Sequence, residues 1–496
     1  MHNFEDADPN NEQHGFRPNR SSIDAGLLKL LTFECSRIQR STTCMVQHDM
    51  TAHFDRMYPA MTAIYASRYK VDRNILLSIG KTIRCLKRNV ETALGVSKTH
   101  YKQLPGAPAI GGMVQGKADV PQLSTQQSDA MLKAHATLTD GLTLPNPTGT
   151  RTIAHHSIAF ADDTDNHTNV TSTGPNPILE VVKKGEKSAQ TWSNLVDICG
   201  GLIALHKCNW QLIAWDGSSG HMELLNNPDT VLILRNANGT PTIIDYLTPD
   251  KPNVGLGFLI CPNGNQKPQL ESLTAAIHTI CRNINSSYLN EMETRQALTQ
   301  RLLPKMQYVL HTTSFTQKQC DRMNTIITNT FLPRMRLNRH FPRAVLYSAI
   351  RHGGMAFPET RTLQLSTQLT YLTKQLRWNH TVANDLLVTL DSLQLHTGVG
   401  PPPLETVTPP IKYAGRSFLL SLRDQLAHIR ASFWIEDKWV PPHQREHDEF
   451  IMDRFLHIPG ITTLELKQAN AVRLYLRVLT IADLADPSVD LFQMET

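Results

Sequence analysis

Two short stretches, each running from apolar residues straight into aspartate, set the tightest limits on how this chain folds. In "HHSIAFADDTDN" (155–166) the residues 157–161 have the composition of a strand, and Asp162, Asp163, Thr164, Asp165 and Asn166 that of a turn. In "STTCMVQHDMTAHFDRMYPAMTAIYASRY" (41–69) a strand over 41–49 closes on Asp49, and a helix is expected over 50–69. Adjacent carboxylates repel one another, and each gains by sharing a cation. Taken alone, the Asp162–Asp163 pair also fits a solvated acidic turn.

The chain has 496 residues, 40% of them hydrophobic, which suits a globular protein of two to four domains. No apolar run approaches the roughly 20 residues that span a bilayer, so no membrane partner is expected. The opening "MHNFEDADPNNEQHG" is polar and acidic, unlike a secretory or transit peptide. Eight scattered cysteines without a CxxC pair argue against a zinc knuckle or a disulfide framework. They fit a reducing, intracellular setting, nuclear or cytoplasmic. The net charge of +5 decides nothing by itself, but its distribution is uneven. Lys81, Arg84, Lys87 and Arg88 recur at helical spacing, and Arg334, Arg336, Arg339, Arg343 and Arg351 interleave with Phe341 and Tyr347. Such clusters suit a phosphate backbone, although a solvated helix face is their commoner meaning.

Along the chain, residues 1–12 form an expected disordered leader. An α+β pattern occupies 13–260, with helices over 116–142 and 177–201, loop over 99–112 and β-rich character from 208. Long amphipathic helices fill 261–396, "TGVGPPPLETVTPP" marks a Pro-rich linker over 397–410, and a helical segment covers 411–496. His443 and His447 have the i, i+4 spacing of metal ligands on a helix, but no HExxH accompanies them.

Six blocks then occur in one order: "EQHGFRPNRSSIDAG", "HDMTAHFDRMYP", "GGMVQGKADVP", "FADDT", "GGLIALHKCNW" and "VGLGFLI". The series resembles the reverse transcriptase motifs of non-LTR retrotransposons, and "RHGGMAFPETRTLQLSTQLTYLTKQLRW" (351–378) resembles the segment that follows the polymerase in those elements. The resemblance implies a right-hand polymerase palm with partial fingers and a mostly helical thumb. It implies an RNA-directed DNA polymerase that takes an RNA template, a DNA primer and dNTPs. A palm of that kind holds two magnesium ions about 3.5–4 Å apart on carboxylates from neighbouring strands, with manganese as an alternative.

At matching positions, Asp49, Asp162 and Asp163 would be the metal ligands, and Lys207 the general acid for departing pyrophosphate. Phe54 would be the steric gate that excludes a ribose 2′-hydroxyl, and Gln115 with Gly116 the turn beneath the nascent pair. Arg17 and Arg20 would meet template or nucleotide, and Leu256 with Gly257 would form the primer grip. Asp55 is expected to be structural. His53 and Ala52 depart from the family's small residue and lysine between Asp49 and Phe54, and Lys117 and Val120 stand where serine is common. The first block begins at Glu12, so a shortened fingers region is expected. That leaves a second reading, a non-catalytic retroelement relic that binds nucleic acid.

Overall fold

The chain is a mixed α+β protein in the computed structural model, which describes residues 12–51, 53–85, 89, 91–92, 95–99, 120–170, 176–217, 222–236 and 238–484. It forms two compact units. The first comprises the described residues up to Ala25, Thr42–Thr143 and Ala154–Thr248; the second comprises Gly26–Ser41, Leu144–Ile153 and the chain from Pro249. Helix α1 (Ser22–Gln39) starts in the first unit and continues in the second.

A six-stranded sheet organises the first unit. Its strands are β1 (Thr42–His48), β2 (Ser157–Phe160), β3 (Asp163–Val170), β4 (Asn209–Ile213), β5 (Leu232–Arg235) and β6 (Pro241–Tyr246), in the spatial order β5-β6-β4-β1-β3-β2. β1 lies centrally, antiparallel to both β3 and β4, while β6 runs parallel to β4. Five of the seven β1 residues are buried, as a central strand covered on both faces requires. The helices of this unit are α2 (His53–Arg56), α3 (Pro59–Arg68), α4 (Arg73–Cys85), α5 (Val120–Leu138) and α6 (Pro177–Ile198). Asn176 caps α6 by accepting from Leu179 N, with Pro177 at the first helical position. α6 lies across β1, β3 and β5 and buries Trp192 completely, in one core with Trp210. Gly185 lets it approach: a Cβ there would stand 2.8 Å from Cys44 Sγ.

The second unit is mainly helical, with α7 (Lys267–Ser286), α8 (Glu291–Ala297), α9 (Leu303–Leu310), α10 (Gln317–Arg334), α11 (Arg343–Tyr347), α12 (Thr360–Trp378), α13 (Thr381–Thr397), α14 (Phe418–His428), α15 (Ile451–Leu456) and α16 (Thr463–Leu476). Asn290 with Glu293, Thr316 with Gln319 and Thr462 with Glu465 form capping boxes that start α8, α10 and α16. Leu273 and Ile277 of α7, Met306 and Leu310 of α9, and Met323, Ile327 and Phe331 of α10 share one apolar core. Ahead of these helices, β7 (Asn253–Gly255) and β8 (Phe258–Ile260) form a hairpin. No described helix is long and apolar enough to cross a membrane.

Several expectations need correction. Glu12, counted in the leader, is buried and accepts from His156 N at 2.6 Å. The acidic turn is only two residues long, because Asp163 already opens β3. The helix expected over 50–69 is broken: Met50 bridges to Ile203, and Pro59 starts a new helix after extended Tyr58. The segment 397–410 is packed rather than loose. Arg423, itself buried, donates to the carbonyls of Pro403, Thr406 and Pro409. His443 and His447 do not lie on a helix.

Candidate active site

The sheet register brings the carboxylate-bearing positions to one end. β1 pairs with β3 as far as His48 opposite Thr164, so Asp49 and Asp163 occupy the next step of neighbouring strands. β2 pairs with β3 through Phe160 opposite Asp163, leaving Ala161 and Asp162 as a two-residue turn. Ala161 has φ 58°, a backbone conformation that residues with a Cβ seldom adopt. Asp162 and Asp163 are both half-buried.

Beyond β1 the chain keeps pairing. Ala204 N donates to Asp49 O at 2.8 Å and Thr51 N to Leu202 O at 2.8 Å. A single 3₁₀ turn, Leu205–Lys207, follows and carries Lys207 back to Asp49, with Nζ 3.4 Å from the carboxylate. Both partners stay wet, at 56% and 40% side-chain exposure, so the pair contributes little stability and leaves both groups accessible. His53 is buried and its Nε2 lies 2.8 Å from Ser124 Oγ on α5. Burial pulls its pKa down, and the nearby Asp162 carboxylate partly offsets that.

Three aspartates offer hard oxygen donors, the chemistry a magnesium ion selects. Their convergence is incomplete: among the described residues no three His, Cys, Asp or Glu side chains stand close enough together to hold a metal ion. Asp49 turns to Lys207 instead. The aspartates' oxygen donors suit the ion in type, but the described side chains are not gathered into a ligand set.

The other expected residues are placed unevenly. Arg17 donates to Gln13 O at 3.1 Å, and burial lowers its pKa while Asp129 on α5 partly offsets the effect. Asp129 also accepts from the Tyr69 hydroxyl and lies 3.2 Å from Lys133. Arg20 is half-buried. Phe54 and Asp55 lie on α2, with side chains outside the described set; Gln115, Gly116 and Lys117 lie wholly outside the described residues. In the second unit, Leu256 and Gly257 are the turn of the β7–β8 hairpin, with φ 56° and 82°. The Tyr308 hydroxyl donates to Leu256 O at 2.5 Å, and the Tyr308 ring stacks on Phe258 at 4.7 Å between centroids. Of the basic clusters, Arg334 is spent on the carbonyls of Ser287 and Asn285 at the end of α7, whereas Arg336, Arg339, Arg343 and Arg351 are exposed.

The residues that sequence reasoning did not single out are Gln13, which bonds Ala161 of the turn, and Ser128 and Thr125, which bond Gln13 and Gly15 behind it. Their signal would have been a buried polar face on α5, where Ser124, Gln127, Ser128 and Asp129 are all less than 5% exposed.

No family model matches the chain, and no curated protein is similar to it. Among solved structures it is similar to telomerase from Candida albicans in complex with a fragment of telomeric RNA, at 11% identity and TM-score 0.28, over 72% of this chain and 51% of that one. Telomerase from Candida tropicalis in a complex of the same kind gives 13% identity and TM-score 0.29 over 76% and 52%; its apo form gives 11% and 0.30 over 75% and 57%. The chain thus spans little more than half the length of these neighbours. At such TM-scores the likeness carries no argument about fold or function.

Proposed function

We propose that the chain is an RNA-directed DNA polymerase derived from a non-LTR retroelement, adding dNTPs to a primer 3′-hydroxyl on an RNA template. One observation carries the reading: the register that puts Asp49, Asp162 and Asp163 at one end of three consecutive strands, in the order of the sequence motifs. Asp49, Asp162 and Asp163 would hold magnesium or manganese, which would lower the pKa of the primer hydroxyl and neutralise charge on the departing pyrophosphate. Lys207, close to Asp49 and open to solvent, is proposed as the general acid for the departing pyrophosphate. Phe54, Gln115, Gly116, Arg17 and Arg20 are proposed to shape the nucleotide and template site, and Leu256–Gly257 to hold the primer.

The second reading, a non-catalytic nucleic-acid-binding relic, draws on the Lys207–Asp49 pair and the unconverged carboxylates. The two are separated by adding dNTPs and magnesium to an RNA template annealed to a labelled DNA primer, alongside an anisotropy measurement of duplex binding. Extension supports the polymerase. Binding without extension, in manganese as well as magnesium, supports the relic.

A further inference from the structure

We propose that Gln13 is a positioning residue whose buried amide clamps the Ala161–Asp162 turn and thereby fixes where the Asp162 carboxylate projects. The inference rests on the polymerase reading for the role of Asp162, but the clamp itself stands on geometry.

Gln13 is fully buried, and both ends of its amide are occupied. Oε1 accepts from Gly15 N at 2.8 Å and from Ala161 N at 3.1 Å. Nε2 donates to Ser128 Oγ at 2.6 Å and lies 3.5 Å from Ala161 O. One side chain therefore reaches both backbone polar groups of the single turn residue that has a positive φ. The segment around it is laid against the edge of β2: Ala159 N donates to Glu12 O at 2.9 Å and His14 N to Ala159 O at 2.8 Å. Gly15 allows this approach, since a Cβ there would stand 2.5 Å from Ala161 N. α5 backs the assembly twice, through Ser128 to Gln13 and through Thr125 Oγ1 to Gly15 O at 3.2 Å.

In a two-residue hairpin the strand ladder ends at the flanking pair, here Phe160 and Asp163. The ladder does not itself hold the two turn residues. Asp162 is the one carboxylate of the three that belongs to the turn rather than to a strand end. A misplacement of about 1 Å at a reacting centre can cost on the order of 100-fold in rate. A buried amide tying Ala161 to a rigid helix limits such misplacement for Asp162.

The test uses the full chain with Gln13→Met, which keeps the volume and loses the amide, and Gln13→Glu, which keeps the acceptor. Hydrogen exchange over 157–166 is read by mass spectrometry, and manganese affinity by electron paramagnetic resonance. Apparent magnesium dependence of primer extension is read beside duplex affinity. Gln13→Met should speed exchange in this segment about tenfold and weaken manganese binding about tenfold, with duplex affinity unchanged. Gln13→Glu should recover part of both losses. Ser128→Ala, which removes only the support behind the clamp, should shift both readings the same way by a smaller factor, and decides the matter if Gln13→Met does not fold. Unchanged exchange and metal affinity in Gln13→Met, or in Ser128→Ala where that variant decides, would overturn the proposal. A wild-type chain that neither extends a primer nor binds manganese would sink the polymerase reading and the positioning role together, while exchange would still report on the clamp.

Discussion

The Ala161–Asp162 turn of the first unit and the Leu256–Gly257 turn of the second meet the same backbone demand with different chemistry. Each joins two antiparallel strands through two residues, and each places a non-glycine residue at positive φ, 58° for Ala161 and 56° for Leu256. Such a residue costs about 1–2 kcal/mol, so something outside each turn must hold it. At Ala161 the holder is a buried amide with several partners. At Leu256 it is one phenol hydroxyl on a half-buried tyrosine, backed by an aromatic stack. A buried polar clamp is stiff because each lost partner is left without water. An aromatic pin keeps most of its hold through packing when its hydrogen bond goes.

That contrast orders the expected effects. Gln13→Met should cost most, about 3 kcal/mol in urea unfolding, because Gly15 N and Ala161 N lose their acceptor inside the protein. Acidification should come next and fall on the first unit. Burial holds His48 down at about 3 and His135 at about 4, so both stay neutral when folded, whereas the unfolded chain protonates them near 6.5. Below that value the unfolded state binds more protons. Stability is therefore full above pH 6.5, falls as pH drops, and levels off below the folded pKa values. At pH 5 the loss should be about 2 kcal/mol for each histidine, and His135→Gln should flatten the urea-midpoint profile between pH 7 and 5. Tyr308→Phe should cost only about 1 kcal/mol, since the stack on Phe258 survives the loss of one hydrogen bond. The smallest changes should be gains. Leu256→Gly and Ala161→Gly relieve the same strain and should each raise stability by up to about 1 kcal/mol, read as a few degrees in Tm. A gain at Leu256 with a loss at Ala161 would show that the clamp needs the alanine itself.

How much of this was legible in the sequence depended on whether polarity and position agreed. β1 and β2 were readable because "TTCMV" and "SIAF" are the residues a covered strand needs. β3 was not: "DTDNHTNV" has the composition of a turn and loop, yet seven of its eight residues are buried. Two of its asparagines are taken up by groups on other elements. Asn166 reaches His48 at 3.1 Å and Ser157 at 3.0 Å, and Asn169 exchanges two hydrogen bonds with the Thr143 backbone. Tertiary pairing overrode local preference there. The "VGLGFLI" block was legible only through its place in the motif series; that it forms the β7–β8 hairpin with Gly257 at positive φ required the structure. Tyr308, some fifty residues away, was not legible. The three aspartates were found through motif order, while their register, and the Lys207–Asp49 pair, required the sheet. Gln13 sat in the first block unremarked, since nothing in "EQHGFR" tells that its amide closes on residue 161.

The most direct test of the account compares wild type with Asp162→Asn in single-turnover primer extension on an RNA template, at equal duplex occupancy. The account predicts that the substitution lowers the rate on the order of 100- to 1,000-fold while duplex affinity and Tm stay unchanged. Extension at the wild-type rate by Asp162→Asn would contradict it, because the turn would then hold its aspartate for a reason other than the chemistry proposed.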